Sequence, residues 1–155
     1  MRIADLLSPN RVSLETGIAS KKRALEHLGE MLAGNDDNMA PSASLVFDAL
    51  SAREKLGSTG LGHGVAIPHG RMGEIETPRV ALLRLQEGVD FDAIDNEPVD
   101  ILIALVVPVD STSEHLDLLA QLARALSQPD NIAAIRRATD PPTLHQAATA
   151  ALSDA

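Results

Sequence analysis

The sequence contains no cysteine, tryptophan or tyrosine, and it has only two phenylalanines among its 155 residues. Without cysteine, the chain can form neither a disulfide bond nor a thiolate metal site. Aromatic side chains make up 1% of the chain and hydrophobic residues 45%, so the core must consist of leucine, isoleucine, valine and alanine. The length predicts a single domain, residues 1–155, that buries about two thirds of its unfolded surface.

Positive charge is also scarce, since 13 lysines and arginines face 22 acidic residues, for a net charge of −9. This balance argues against nucleic-acid binding, which needs a basic patch, and favours a basic protein partner. The N-terminus lacks the apolar stretch of a signal peptide, and the apolar run at 101–108 is too short to span a bilayer. The sequence therefore predicts a cytoplasmic protein without membrane insertion.

Strand and helix patterns interleave along the chain without internal repeats, which predicts an α/β fold with a mixed sheet. The unbroken apolar run Ile101–Val107 is predicted to be a central strand covered on both faces. Further strands are predicted over 11–15, 65–67, 80–85 and 89–91, the last two joined as a hairpin, and 35–38 is predicted to be a loop. Helices are predicted after the capping candidates Ser20, Ser111 and Asp130, and two more are predicted to start at about Ser42 and at Asp140-Pro141.

The segment from Gly60 to Gly70 combines glycines at alternate positions with a short apolar strand and a Pro68-His69-Gly70 triplet. Proline cannot donate to a strand ladder, so His69 is predicted to lie just past the end of the strand. An imidazole held between a rigid proline and a small glycine has the exposed, fixed setting that a nucleophile needs. A plain turn accounts for the same three residues and stays open at this point.

Two more polar residues are predicted at nearby element ends. His115 is in helical register with Leu119, Leu122 and Leu126, in the first turn of the helix that follows the central strand. Arg53 lies beside the apolar face of the second helix, just before the glycine-rich loop. Sites in open α/β sheets gather at strand carboxyl ends, and an imidazole, a helix N-terminus and a guanidinium together suit a phosphoryl group. Alternatively, His115 is a core histidine and Arg53 a surface cation.

Other polar residues carry weaker signals. The spacing of His63 and His69 fits no zinc motif and no acidic ligand is near, so no metal site and no cofactor are predicted. Ser58 lacks the G-x-S-x-G frame of a nucleophilic serine. The cationic segment 21–23 occupies a first helical turn, where the helix dipole favours acids. Either a solvated surface or a partner contact explains it.

Residues 52–70, from Ala52-Arg53-Glu54 through Gly57-Ser58-Thr59-Gly60 to Pro68-His69-Gly70, closely resemble the active-site signature of fructose/mannitol-type enzyme IIA of the bacterial phosphotransferase system. Segments 20–26, 91–100 and 107–116 resemble the nitrogen-regulatory branch of that family. The resemblance covers nearly the whole chain. It implies a mixed central sheet of about five strands with helices on both faces, in a free-standing protein.

The resemblance also implies roles for individual residues. His69 matches the histidine that accepts a phosphoryl group from an HPr-like phosphocarrier protein. Arg53 and His115 match positions that stabilise this group, as do Ser58 and Thr59 within the signature. His63 falls where many relatives carry asparagine, and no catalytic role is assigned to it.

The implied function is that of a phosphotransferase without a cofactor whose phosphorylation state regulates target proteins. An apolar rim around the site, with residues such as Leu61 and Met72, is predicted to contact the phosphocarrier. Three alternatives stay open: a sugar-specific IIA that passes phosphate to a IIB domain, an interaction module without chemistry, and a metallohydrolase.

Overall fold

The computed structural model describes residues 1–34 and 41–153, so the predicted loop at 35–38 lies outside the described residues. The strands within these residues are β1 (Val12–Glu15), β2 (Gly60–Gly62), β3 (Val65–Ala66), β4 (His69–Met72), β5 (Arg79–Val89) and β6 (Val99–Pro108). The helices are α1 (Lys21–Leu32), α2 (Ala43–Glu54), α3 (Thr112–Ala125), α4 (Pro129–Arg137) and α5 (Pro141–Ser153), and the 3-10 turns Ile3–Leu6 and Pro9–Arg11 precede β1. Throughout the described chain, every helix is too short or too polar to cross a bilayer.

The strands form one mixed sheet in the order β1-β5-β6-β3-β2, with β4 also paired to β6. Strand β6 is central, because it is antiparallel to β5 on one side and parallel to β3 and β4 on the other. Strand β1, which was predicted over 11–15, lies parallel to β5 at an edge of the sheet. The predicted mixed α/β sheet is therefore confirmed.

Helices cover both faces of the sheet, and β6 supplies the centre of both cores. Its residues Ile101, Ile103, Leu105 and Val107 are buried with the apolar residues of α3, α4, α5 and the first 3-10 turn. The alternate residues Leu102, Ala104 and Val106 are buried with those of α1 and α2. Successive strand side chains point to opposite faces, so a strand covered on both sides is apolar throughout.

The predicted hairpin between residues 80 and 91 is wrong. Strand β5 runs without a turn from Arg79 to Val89 and pairs with β6, with a register irregularity between Arg84 and Val89. A Cβ atom on Gly88 would lie 2.8 Å from Cβ of Pro98. The glycine therefore allows the two chain segments to approach closely and does not form a turn.

Pro68 interrupts a strand but does not end its pairing with the sheet. Strands β3 and β4 follow β6 in one continuous register, with Ala66 opposite Leu102 and His69 opposite Leu105. Pro68 has no N–H, yet its carbonyl accepts a hydrogen bond of 2.9 Å from the Leu105 N–H. His69 thus lies past the end of β3, as predicted, but it is also the first residue of β4, a strand that was not predicted.

The predicted cap at Ser20 is formed, and the predicted helix starts at Ser42 and Asp140 are capped as well. The Ser20 hydroxyl accepts from the Arg23 N–H and the Ser42 hydroxyl from the Leu45 N–H. The Asp140 carboxylate accepts from the Thr143 N–H at 2.8 Å. Each bond satisfies a backbone donor that the first helical turn leaves unpaired.

The other two predicted caps are wrong. The Ser111 side chain makes no capping bond, and α4 begins at Pro129, which places Asp130 inside the first turn. The proline supplies the fixed φ that starts this helix without a side-chain cap. Helical spacing from Leu45 and Leu50 also predicts an inward position for Leu56, but α2 ends at Glu54 and leaves Leu56 exposed on the following loop.

Candidate functional site

A cavity of about 640 Å³ lies along β4, between the C-terminal end of α2 and the N-terminal end of α3. Its polar lining comes from Arg53, His69, Arg71, Thr112 and His115, and the remaining residues that line it are apolar or glycine. The structure therefore brings together the three residues that were singled out at different element ends. Arg71 joins them as a fourth.

Side-chain alternation along β4 decides which residues reach this cavity. His69 and Arg71 face α3, since the His69 ring contacts His115 and the Arg71 guanidinium donates to the Thr112 hydroxyl at 3.3 Å. Gly70 faces α2, where a Cβ atom would lie 3.0 Å from the Ala49 carbonyl oxygen. A glycine at this position therefore lets α2 pack directly on the strand that carries His69.

The hydrogen bonding of His69 defines which ring nitrogen is free. Its Nδ1 lies 2.9 Å from the Ile67 carbonyl oxygen, which can only accept, so Nδ1 carries the hydrogen in the neutral ring. Burial lowers the pKa of His69 below its ordinary value; the Ile67 hydrogen bond and the Glu54 charge oppose the shift, and the Arg53 charge adds to it. A lowered pKa favours the neutral imidazole, whose Nε2 then has a free lone pair.

His115 contributes a second imidazole with an unsatisfied atom. Its ring meets that of His69 edge to face, with centroids 5.4 Å apart and an angle of 71° between the planes. Its Nε2 is buried and has no hydrogen-bond partner within the parts of the chain that the structure describes. Burial lowers the pKa of His115, and the His69 and Arg71 charges act in the same direction. A polar group bound on His69 could satisfy this nitrogen.

Arg53 and Arg71 place two guanidinium groups at the cavity. Arg53 lies in the last turn of α2 and donates through Nη1 to the Gly57 carbonyl at 2.7 Å. Arg71 was missed because His69 was predicted to lie beyond a strand. Had β4 been recognised, the two-residue spacing from His69 would have placed Arg71 on the same face of the strand.

The remaining predicted site residues lie outside the cavity lining. The Ser58 hydroxyl donates to the Phe91 carbonyl at 2.8 Å, and the Thr59 hydroxyl bonds to the Glu54 carboxylate. Both hydroxyls thus stabilise the loop that leads to His69, and their contact with a phosphoryl group stays a prediction. His63 has a left-handed backbone, with φ of 58°, a conformation in which asparagine is also enriched.

An apolar rim surrounds the cavity, but its residues differ from those predicted. Leu56, Val109 and Leu116 line the cavity with 84%, 59% and 64% of their surfaces exposed. The prediction of Met72 was wrong, because alternation along β4 buries this side chain between the strand and α2. Leu61 is partly exposed but lies outside the cavity lining.

The family model for the phosphoenolpyruvate-dependent sugar phosphotransferase system, EIIA 2, matches residues 5–149. The chain belongs to this EIIA 2 family. Its members transfer phosphoryl groups between proteins, so the chain has a phosphocarrier role in a phosphotransferase system. The resemblance identified from residues 52–70 is thereby confirmed.

Individual EIIA 2 relatives cover almost the whole chain. A nitrogen regulatory protein from Pseudomonas aeruginosa is 42% identical over 146 residues, which are 94% of each chain. The crystal structure of nitrogen regulatory protein IIA-Ntr from Neisseria meningitidis has 37% identity and a TM-score of 0.84, over 94% of this chain and 98% of that one. The structure of IIA mannitol from Escherichia coli, at 22% identity, shares the fold with a TM-score of 0.72 over 91% and 97% of the two chains.

Proposed function

We propose that His69 accepts a phosphoryl group on Nε2 from an HPr-like phosphocarrier of the nitrogen branch. The bond from Nδ1–H to the Ile67 carbonyl is the main support, because it leaves Nε2 as the nucleophilic nitrogen. The names of the nitrogen regulatory relatives support the choice of branch. In this proposal residues 1–155 act as one domain in the cytoplasm and need no cofactor.

The proposed step exchanges one phosphorus–nitrogen bond for another. The lone pair on His69 Nε2 attacks the phosphorus of the carrier's phosphohistidine, and the carrier's imidazole leaves with the electron pair of the broken bond. Positive charge then develops on the His69 ring, where the Ile67 carbonyl stabilises Nδ1–H. Phosphoryl transfer asks the protein mainly for positioning and charge stabilisation.

Residues that line the cavity can provide this charge stabilisation. Arg53 and Arg71 can neutralise the phosphoryl oxygens, and a protonated Nε2 of His115 can donate a hydrogen bond to one of them. The exposed rim of Leu56, Val109 and Leu116 would contact the carrier during transfer. Transient encounters of this kind bury less than about 1,200 Å² in total.

Phosphorylation with purified components tests the proposal. The protein is mixed with phosphoenolpyruvate, enzyme I and either the nitrogen-branch or the sugar-branch phosphocarrier, and the products are followed by mass spectrometry. One acid-labile phosphoryl group should appear on the peptide that contains His69, and it should form faster with the nitrogen-branch carrier. Faster transfer from the sugar-branch carrier, followed by transfer to a IIB domain, would instead establish a sugar-specific function.

Regulation of target proteins is the second part of the proposal. A phosphoryl group adds nearly two negative charges at the centre of the apolar rim. A target bound to the rim should therefore lose at least about tenfold in affinity, or about 1.4 kcal/mol. Titration of a captured target with the phosphorylated protein and with His69→Ala measures the difference. Equal affinities would mean that the target binds another surface.

A further inference from the structure

A charge pair between α1 and the C-terminal end of α2, outside the cavity lining, connects to the loop that leads to His69. The Glu54 carboxylate, with 4% of its side chain exposed, lies 3.0 Å from Nζ of Lys21 in the first turn of α1. The Lys21 ammonium also lies 3.7 Å from the Asp92 carboxylate and 4.6 Å from the centre of the Phe91 ring. Lys21 thus has partners within the protein, which accounts for a cation where the helix dipole favours acids.

The same carboxylate holds Thr59 at two points. One Glu54 oxygen accepts a hydrogen bond of 3.2 Å from the Thr59 backbone N–H, and the other bonds to the Thr59 hydroxyl. Thr59 is 5% exposed, so these bonds are shielded from water. Because one side chain bonds both the backbone and the side chain of Thr59, the residue has little freedom to rotate or shift.

From Thr59 the contacts continue to the nucleophilic ring. The Thr59 carbonyl accepts the Ile67 N–H at 3.1 Å, and the Ile67 carbonyl in turn accepts Nδ1–H of His69 at 2.9 Å. The next residue, Pro68, cannot donate a backbone hydrogen bond. The Ile67 backbone is therefore held by Thr59, and Thr59 by Glu54, in addition to the pairing of the flanking residues Ala66 and Pro68 with β6.

A contribution to stability alone does not explain this arrangement well. Removing two charges from water costs free energy that their mutual attraction often fails to recover, and apolar pairs of similar volume can stabilise a fold equally well. Here the Glu54 carboxylate accepts two hydrogen bonds from Thr59, in the loop that leads to the site. Groups that support a reactive side chain in this way fix its orientation and its tautomer.

We propose that Lys21 and Glu54 are positioning residues for phosphoryl transfer. The pair fixes Thr59 so that the Ile67 carbonyl keeps the hydrogen of His69 on Nδ1 and leaves Nε2 free. This inference rests on the proposed function for its effect on transfer. Its effect on the His69 tautomer needs no phosphocarrier and can be measured separately.

The experiment compares Lys21→Met with Lys22→Met in the full chain. Methionine keeps much of the length of lysine but removes the charge, and with it the cation–π contact with Phe91, whereas Lys22 is an exposed neighbour. Nitrogen-15 NMR of the histidine rings reports the tautomer, and transfer rates are measured with the phosphocarrier. Lys21→Met should shift the His69 hydrogen partly to Nε2 and slow transfer by about 10- to 100-fold. Lys22→Met should match the wild type.

Two further variants separate positioning from a loss of folding. Lys21→Arg keeps the charge and should retain the wild-type tautomer. Thr59→Val keeps the side-chain volume but removes the bond from its hydroxyl to Glu54, and should shift the tautomer in the same direction as Lys21→Met. If Lys21→Met fails to fold, the tautomer of His69 in Thr59→Val tests the inference instead.

Specific results would overturn the inference. Variants that only lower the melting temperature, with the tautomer and the rate unchanged, would give the pair a purely structural role. Equal loss in Lys21→Arg and Lys21→Met would exclude a role for the charge. A shifted tautomer in a protein whose wild type is never phosphorylated would support the positioning role and contradict the proposed function.

Discussion

Replacing His69 with alanine is expected to abolish phosphoryl labelling of the protein and to leave its fold intact. The variant loses the Nε2 nucleophile, and none of the other cavity residues combines a free imidazole nitrogen with a bond that fixes the tautomer. The ring is only partly buried at an edge of the sheet, so the free energy of unfolding should change by less than about 1 kcal/mol. Mass spectrometry and thermal unfolding measure the two effects.

His63→Asn is the matched control for this experiment. His63 is an exposed histidine near His69 in the sequence, and asparagine tolerates its left-handed backbone. Labelling of this variant should equal that of the wild type. Persistent labelling of His69→Ala would place the acceptor on another residue, and a phosphorus–nitrogen coupling at Nδ1 of His69 would contradict the assignment of Nε2.

The parts of the fold that could be predicted have local causes. The apolar run of β6 identified the central strand, and the hydroxyls of Ser20 and Ser42 marked the starts of α1 and α2. The interpretation of residues 80–91 failed because a glycine near a strand end indicates a turn as readily as a close approach. The position of Pro98 across from Gly88 is what distinguishes a close approach from a turn. The residues around Gly88 in the sequence do not reveal that position.

The candidate site was predictable to the extent that element ends could be recognised. Arg53 and His115 were found because each lies at the end of a helix, whereas Arg71 was missed with β4 itself. The pair of Lys21 and Glu54 depends on the packing of α1 against α2. The sequence showed only that the charge on Lys21 is unusual for its position, and the partner that explains it lies on another helix.

The second large effect is expected at the residues that contact the transferred group. His115→Phe keeps a ring beside His69 but removes both nitrogens, and Arg53→Gln removes the guanidinium charge. Each should slow transfer by roughly one to three orders of magnitude, because each group stabilises charge on the phosphoryl oxygens in the transition state. Single-turnover rates with the phosphorylated carrier measure the effect.

Stability measurements separate this role from the two structural alternatives. The buried Nε2 of His115 has no partner among the described residues, so its removal sacrifices no hydrogen bond and should not lower the melting temperature. Arg124→Gln is the control for lost charge, since this exposed arginine of α3 lies outside the cavity lining. If His115→Phe and Arg53→Gln transferred at the rate of Arg124→Gln, the two residues would be a core histidine and a surface cation. A slow transfer with unchanged unfolding would instead mean that the unsatisfied nitrogen is kept for the phosphoryl group.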